Sequence, residues 1–305
     1  MKHVKHGTLL LTLIVLLASS CKKDGYNYPN SKCLLSHYED ELNGAVDIFY
    51  NQRGNPDSVS FNGFGNKLEY DNSGRLVKQK FSTGYFEFVY NNNSFLPTTR
   101  RFWSTQITTP APAGLVEIDS LQYNILGQLI KKGITNRIAP AYNLFQKYEY
   151  NNRGNVTKVT TAAQNGGTVF LTPVVSFEGS RYDTKLNIFV TNQWLKYLFD
   201  NTEFSDYTYS MFSINNAADF KWGYTGGYIA SVTSTIVYNT QGFANNFACR
   251  YIGTDGTDIN FTRIGRSTCD AAPANRMAIQ PANKAGNLPL IKNNKYGLPI
   301  ITQQP

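Results

Sequence analysis

The sequence predicts an all-β protein: an antiparallel meander of stacked β-hairpins forming a curled sheet with one apolar face, plus one short helix near 192–199. The first observation behind this is a recurrence. Tyr50, Tyr70, Tyr90, Tyr123, Tyr150 and Tyr238 are each followed by Asn or Asp, and four positions after the tyrosine stand Gly54, Gly74, Ser94, Gly127, Gly154 and Gly242. Asn or Asp at the first position of a type I turn bonds the backbone two residues on, and a left-handed glycine then closes a three-residue hairpin loop. The second is period-two patterning: Ile48, Leu68, Phe88, Leu121, Tyr148 and Ile236, two residues before each tyrosine, are apolar and share its face. The third is composition, with 20 Tyr and 19 Phe, residues that suit a half-buried pleated surface.

Taken in order, residues 1–20 read as a leader. Lys2 and Lys5 form its basic end, and Leu9 to Leu17 make an apolar stretch too short to span a bilayer as a helix. The run Leu17-Ala18-Ser19-Ser20-Cys21 resembles the box of bacterial lipoproteins, although its leucine lies four rather than three positions before the cysteine. The resemblance implies acylation of Cys21. Lys22 is not the aspartate of inner-membrane retention, which favours the outer membrane. The alternative is cleavage at Ala-x-Ser to give a soluble exported protein.

Residues 21–32 follow as a lipidated tether, then 33–269 as a single β-rich domain. The repeat register pairs Tyr70 with Leu76, Tyr90 with Leu96, Tyr123 with Leu129 and Tyr150 with Val156, with Pro56 and Ala244 at that position in the two outer copies. Extra residues fall at 105–114 and 135–145, away from the tight turns. The turns therefore line one edge of the sheet and variable loops the other, where a glycan or protein ligand is expected to bind. Asn192 is placed as the N-cap of the helix, and Trp194, Leu195, Leu198 and Phe199 give it an apolar face expected to cover part of the sheet. Residues 270–305, rich in Pro, Asn, Ala and Gln, read as a poorly ordered tail.

Charge and chemistry exclude more than they assign. The formal +8 falls to about +6 once Lys2 and Lys5 leave with the leader. Lys78, Lys131 and Lys158 share one repeat position and read as a solvated rim, or as a basic stripe for anionic glycan or lipid headgroups; nucleic acid is not an expected partner of an exported chain. His3 and His6 lie in the leader, so a zinc site or hydrolase triad would rest on His37 alone, which reads as structural. No phosphate-binding glycine motif is present. Glu39, Asp40 and Glu41, and separately Glu117 and Asp119, are the carboxylate clusters a glycosidase would draw on. Asp255, Asp258 and Asn260 read as a turn rather than a calcium loop. Of the cysteines beyond Cys21, a Cys249–Cys269 disulfide is expected, leaving Cys33 over. Trp103, Trp194 and Trp222 read as core residues or as sugar-stacking platforms. No catalytic, cofactor or metal residue is assigned.

Tyr70-Asp-Asn-Ser-Gly-Arg-Leu76 resembles the YD repeat of RHS-type proteins, and Tyr150 to Val156 and Tyr123 to Leu129 are looser copies. With the leader, the chain resembles YD-repeat-like outer-membrane lipoproteins over most of 33–250. The resemblance implies a β-rich scaffold and carries no catalytic residues. The reading at this level is a non-enzymatic, membrane-anchored envelope lipoprotein that binds or scaffolds, the alternative being a cell-surface glycan-binding or glycan-cleaving accessory protein. A carrier of acyl chains inside the curled sheet is a third reading.

Overall fold

The computed structural model describes residues 33–106, 114–140, 143–165, 168–169, 174–199, 209–224, 227–268, 289–293 and 299–303. The leader, Cys21, the tether, Cys269 and most of 270–305 lie outside the described residues.

The strands run in chain order as β1 (Leu34–Asp40), β2 (Gly44–Tyr50), β3 (Pro56–Phe61), β4 (Phe64–Tyr70), β5 (Leu76–Phe81) and β6 (Gly84–Tyr90). Next come β7 (Pro97–Ser104), β8 (Leu115–Tyr123), β9 (Leu129–Asn136), β10 (Leu144–Tyr150), β11 (Val156–Asn165) and β12 (Thr168–Val169). The series ends with β13 (Val174–Leu186), β14 (Asn215–Tyr224), β15 (Gly227–Tyr238), β16 (Ala244–Gly253) and β17 (Asp258–Thr268). A separate hairpin pairs Pro289–Asn293 with Pro299–Gln303.

The antiparallel all-β meander is as expected, but the sheet does not stay open. β1 pairs with β2 on one side and with β17 on the other, and β9 pairs with β10. The two-residue β12 pairs with β11, which continues the ring through β13, so sixteen strands close into a barrel. Closure removes both edges of the sheet, and with them the unpaired backbone groups an open curl would leave.

The hairpin turns form as the sequence dictates. Asp71 Oδ1 accepts from Ser73 N and Arg75 N, both at 2.9 Å, and Gly74 takes φ 80°. The same contacts recur from Asn51, Asn124, Asn151 and Asn239. Copy three differs: with Ser94 in place of glycine, Asn92 takes the left-handed conformation and the loop gains a residue. Tyr90 therefore pairs with Pro97, not Leu96, whereas Tyr70–Leu76, Tyr123–Leu129 and Tyr150–Val156 pair as expected.

Alternation sorts the side chains into two faces. The buried one points into the bore: Ile48, Val59, Leu68, Leu76, Phe88, Leu121, Leu129, Tyr148, Val156, Phe177, Val232 and Phe247 are all buried. The outer face carries Glu69, Lys78, Glu87, Arg101 and Gln122 on β4 to β8, Lys147 on β10 and Arg250 on β16, with ion pairs such as Lys80–Glu69 at 2.5 Å and Arg101–Glu87 at 3.2 Å. The bore is filled from one segment. Between β13 and β14 the chain forms a 3₁₀ turn (Ile188–Thr191), the helix Leu195–Phe199 and a second 3₁₀ turn (Tyr209–Phe212). Asn192 Oδ1 accepts from Trp194 N at 2.9 Å, a local N-terminal cap, while its Nδ2 donates to Gly54 O at 3.3 Å. The helix is shorter than 192–199 and covers part of the sheet's apolar face as expected, but from inside a closed barrel.

Candidate functional site

Two parts of the barrel carry candidate function: the filled bore and the outer surface with its turn edge. In the bore, the repeat tyrosines of the first five copies reach back to a backbone carbonyl of a preceding strand, whereas Tyr238 donates to the Asp183 carboxylate. Tyr70 donates to Pro56 O at 2.7 Å, Tyr90 to Leu76 O at 2.6 Å, Tyr123 to Pro97 O at 2.9 Å and Tyr150 to Leu129 O at 2.8 Å. Tyr182 of β13 continues the series onto Val156 O. The repeated residue is thus a stitch between neighbouring hairpins, and burial pushes the phenols of Tyr70, Tyr90 and Tyr150 well above their ordinary range.

The plug seats on this tier. Trp194 lies 6.4 Å from the Tyr70 ring and 6.3 Å from Tyr90, Tyr197 OH is 2.9 Å from Tyr123 OH, and Phe199 packs edge-on against Tyr38, Phe61 and Phe189. Lys196 rests over the rings of Tyr197 and Phe212, at 5.3 and 5.8 Å, with no ion-pair partner among the described residues. Burial lowers its ammonium to about 8.

Deeper in the wall, Arg100 of β7 grips Asp119 of β8 through Nε at 2.8 Å and through its Nη2, and Lys132 of β9 approaches at 3.7 Å, all three buried. Asp40 pairs with Arg263 at 2.6 Å, both fully buried, across the seam between β1 and β17. These pairings answer the carboxylate clusters. Asp119 is held by cations, and Asp40 faces the bore while its neighbour Glu39 faces out toward His37. Glu41 accepts from Thr262 N at 2.8 Å at the strand end. His37 is structural, Nδ1 lying 2.7 Å from Asp47 Oδ1 on the outer face. Among the described residues no cluster of three metal-ligating side chains occurs. Asp255 Oδ1 caps its own turn by accepting from Thr257 N.

The cysteine pairing needs correction. Cys33 is the disulfide-bonded cysteine. Cys249, expected to pair with Cys269, is a buried thiol 3.3 Å from Ser234 Oγ and donating to Phe247 O at 3.5 Å. Strand alternation turns Cys249 into the bore, where its neighbours are Ser234 and Phe261.

Of the three tryptophans, Trp194 and Trp222 are buried core residues. Trp103 faces out beside its cross-strand partner Tyr85, ring centroids 6.1 Å apart and 17° from parallel, with Nε1 donating to Glu87 at 3.3 Å. From β4 to β11 the outer face holds Lys67, Lys78, Lys80, Arg101, Lys131, Lys147 and Lys158 against Glu69, Glu87 and Glu149. Lys67 stands directly opposite Lys80, and Lys131 opposite Lys147, placements that like charges disfavour. The rim lysines lie over rings, Lys78 on Tyr85 and Lys131 on Phe145, both at 4.7 Å. On the turn edge, Asn51, Gln52, Arg53, Asn55, Tyr70 and Gly74 line an open depression of ≈ 330 Å³. Sequence reasoning missed the plug's central place and the turn-edge depression. The long non-repeating segment between Tyr150 and Tyr238 was the signal for the first.

The fold and its interior thus define a class: a closed sixteen-stranded antiparallel barrel with an apolar, plugged bore and a polar outer wall. No family model and no curated protein matches the chain. Among solved structures it is similar to a porin-like protein from Bacteroides uniformis, at 11% identity and TM-score 0.40, covering 77% of this chain and 96% of that one. It is also similar to a porin-like protein from Bacteroides vulgatus, at 9% identity and TM-score 0.45, covering 76% and 97%. The TcdB2-TccC3-TEV structure matches at 12% identity and TM-score 0.25, covering 85% of this chain and 11% of that one. The resemblance to YD-repeat (RHS-type) proteins is corrected at the level of fold: the hairpins close on themselves as a barrel, because the strands after the plug bring β17 back to β1. Among the described residues no helix is long and apolar enough to cross a membrane, which says nothing of strands.

Proposed function

We propose that this chain is a non-enzymatic envelope lipoprotein of the outer membrane, held by acylated Cys21, whose barrel stands in water as a binding scaffold. One observation carries the reading: the alternation fills the bore mainly with apolar residues, the wall's few inward charges paired with one another (Asp40–Arg263, Asp119 with Arg100 and Lys132), and leaves the solvent-facing charges on the outside. A barrel that spans a bilayer presents an apolar band to lipid and a polar lumen, the reverse arrangement. A pore activity across the bilayer does not fit this arrangement. The disulfide at Cys33 supports export, since such bonds persist in oxidising compartments. Fractionation tests the anchor. Wild-type protein is expected in the membrane pellet, released by detergent, and Cys21→Ser in the soluble envelope fraction. A Cys21→Ser chain that still needs detergent would contradict the reading.

A second reading, a glycan-binding surface protein, is favoured by the outward Tyr85–Trp103 pair flanked by Lys78 and Arg101. Flat aromatic faces suit the CH face of a pyranose, and the lysines suit acidic sugars. A glycan array with wild type and Trp103→Ala tests it: binding lost in the variant supports the reading, and no binding by wild type removes it.

A further inference from the structure

The turn tips of the repeat are polar in five copies, Gln52-Arg53, Asn72-Ser73, Asn92-Asn93, Asn152-Arg153 and Thr240-Gln241, but the copy opening at Asn124 carries Ile125-Leu126. The turn does not require them. Asn124 Oδ1 accepts from Leu126 N and Gln128 N, both at 3.0 Å, and Gly127 takes φ 75°, as in the polar copies. Ile125 is 101% exposed and Leu126 77%. Phe95, 47% exposed, stands on the neighbouring turn, whose Leu96 Cδ1 lies 3.4 Å from where a Cβ on Gly127 would stand. Large apolar side chains left in water on neighbouring turns mark a contact surface.

A second, independent observation says what covers them. The chain enters the barrel at this same edge: Leu34 opens β1 with its Cδ1 4.0 Å from where a Cβ on Gly54 would stand, and Tyr50 OH donates to Leu35 O at 2.7 Å. Eleven residues join Cys21 to Cys33, a span of about 40 Å when fully extended. An acyl anchor at Cys21 therefore tethers the chain from the end of the barrel that carries these turns. Arg53 and Arg153 are exposed at two other tips, cations suited to anionic headgroups.

We infer that the edge of Asn-x-x-Gly turns is a lipid-docking face. Ile125, Leu126 and Phe95 enter the boundary between headgroups and acyl chains, Arg53 and Arg153 meet headgroup phosphates, and the variable loops point away from the membrane. The inference rests on the lipid-anchor reading above. The test uses the full-length acylated protein in vesicles of phosphatidylethanolamine and phosphatidylglycerol. An environment-sensitive fluorophore is placed at Ile125→Cys or Leu126→Cys, and for contrast at Leu42→Cys or Ile138→Cys on the opposite edge. Quenching by lipid-borne nitroxide is expected at 125 and 126 and absent at 42 and 138. Equal quenching at both edges, or a dry but unquenched label at 125 that reports a protein partner, overturns the docking face. Protein that co-sediments with vesicles while the label at 125 stays in water overturns the docking face and leaves the anchor standing. Protein that fails to co-sediment overturns the anchor reading and the inference built on it.

Discussion

The two halves of the barrel are made differently. From β2 to β11 the wall is hairpin after hairpin, with strands of six to ten residues whose registers are set by their own turns. From β13 to β17 the strands lengthen to between ten and thirteen residues, and the β13–β14 pairing slips register three times. The second half also contributes the segment that fills the bore. Local turn chemistry therefore builds the wall, whereas the non-repeating chain decides what the wall encloses. Damage to the plug should be global, and damage to a repeat position should be confined and small.

The largest expected effect comes from emptying the plug. Trp194→Ala removes a ring that touches two repeat tyrosines and should cost about 3–5 kcal/mol in denaturant unfolding. A loss under about 1 kcal/mol would mean that the plug is not integral to the barrel. Next is the covalent tie at the start of β1: reducing the Cys33 disulfide should cost roughly 2–4 kcal/mol. Cys249→Ser should leave that bond intact in a non-reduced peptide map. In the repeat half, Tyr70→Phe deletes one stitch and should cost about 1 kcal/mol, while Tyr85→Phe on the outer face should change stability by less than about 0.5 kcal/mol. Equal losses would erase the distinction between the two faces.

The last expected effect is a slope with pH. Lys196 is lowered to about 8 in the folded chain, so between pH 8 and its unfolded value of about 10.4 the unfolded state binds more protons. Stability contributed by this group therefore rises with pH across that window. Above about pH 10 the buried tyrosines act oppositely, because their raised folded pKa values leave the unfolded phenols to ionise first. Lys196→Met should abolish the rise and leave the alkaline fall, read as the melting temperature against pH.

Much of the wall was legible because its information is local. The Asn or Asp, the glycine and the alternating apolar residues each act within a few positions, and they set five of the six tyrosine pairings. Copy three missed by one residue because a serine cannot replace glycine in that turn without a longer loop. Closure was not legible. It depends on β17 meeting β1 across more than two hundred residues, through long strands with bulges that carry no repeat. The same distance hid the Asp40–Arg263 pair and the bore side of Asp119, since sequence shows a carboxylate but not the cation across the seam. The cysteine pairing failed for a related reason: strand alternation turns Cys249 into the bore, beside Ser234 rather than another cysteine.

The most direct test is to ask which solvent the outer wall meets while the protein is on its membrane. Nitroxide labels at Thr99, Ser120 and Thr233, outward positions on β7, β8 and β15, are placed in the acylated chain in native-like vesicles. Relaxation dominated by a water-soluble nickel reagent at all three is the predicted result. A band in which dissolved oxygen dominates would put the wall in lipid and contradict the account.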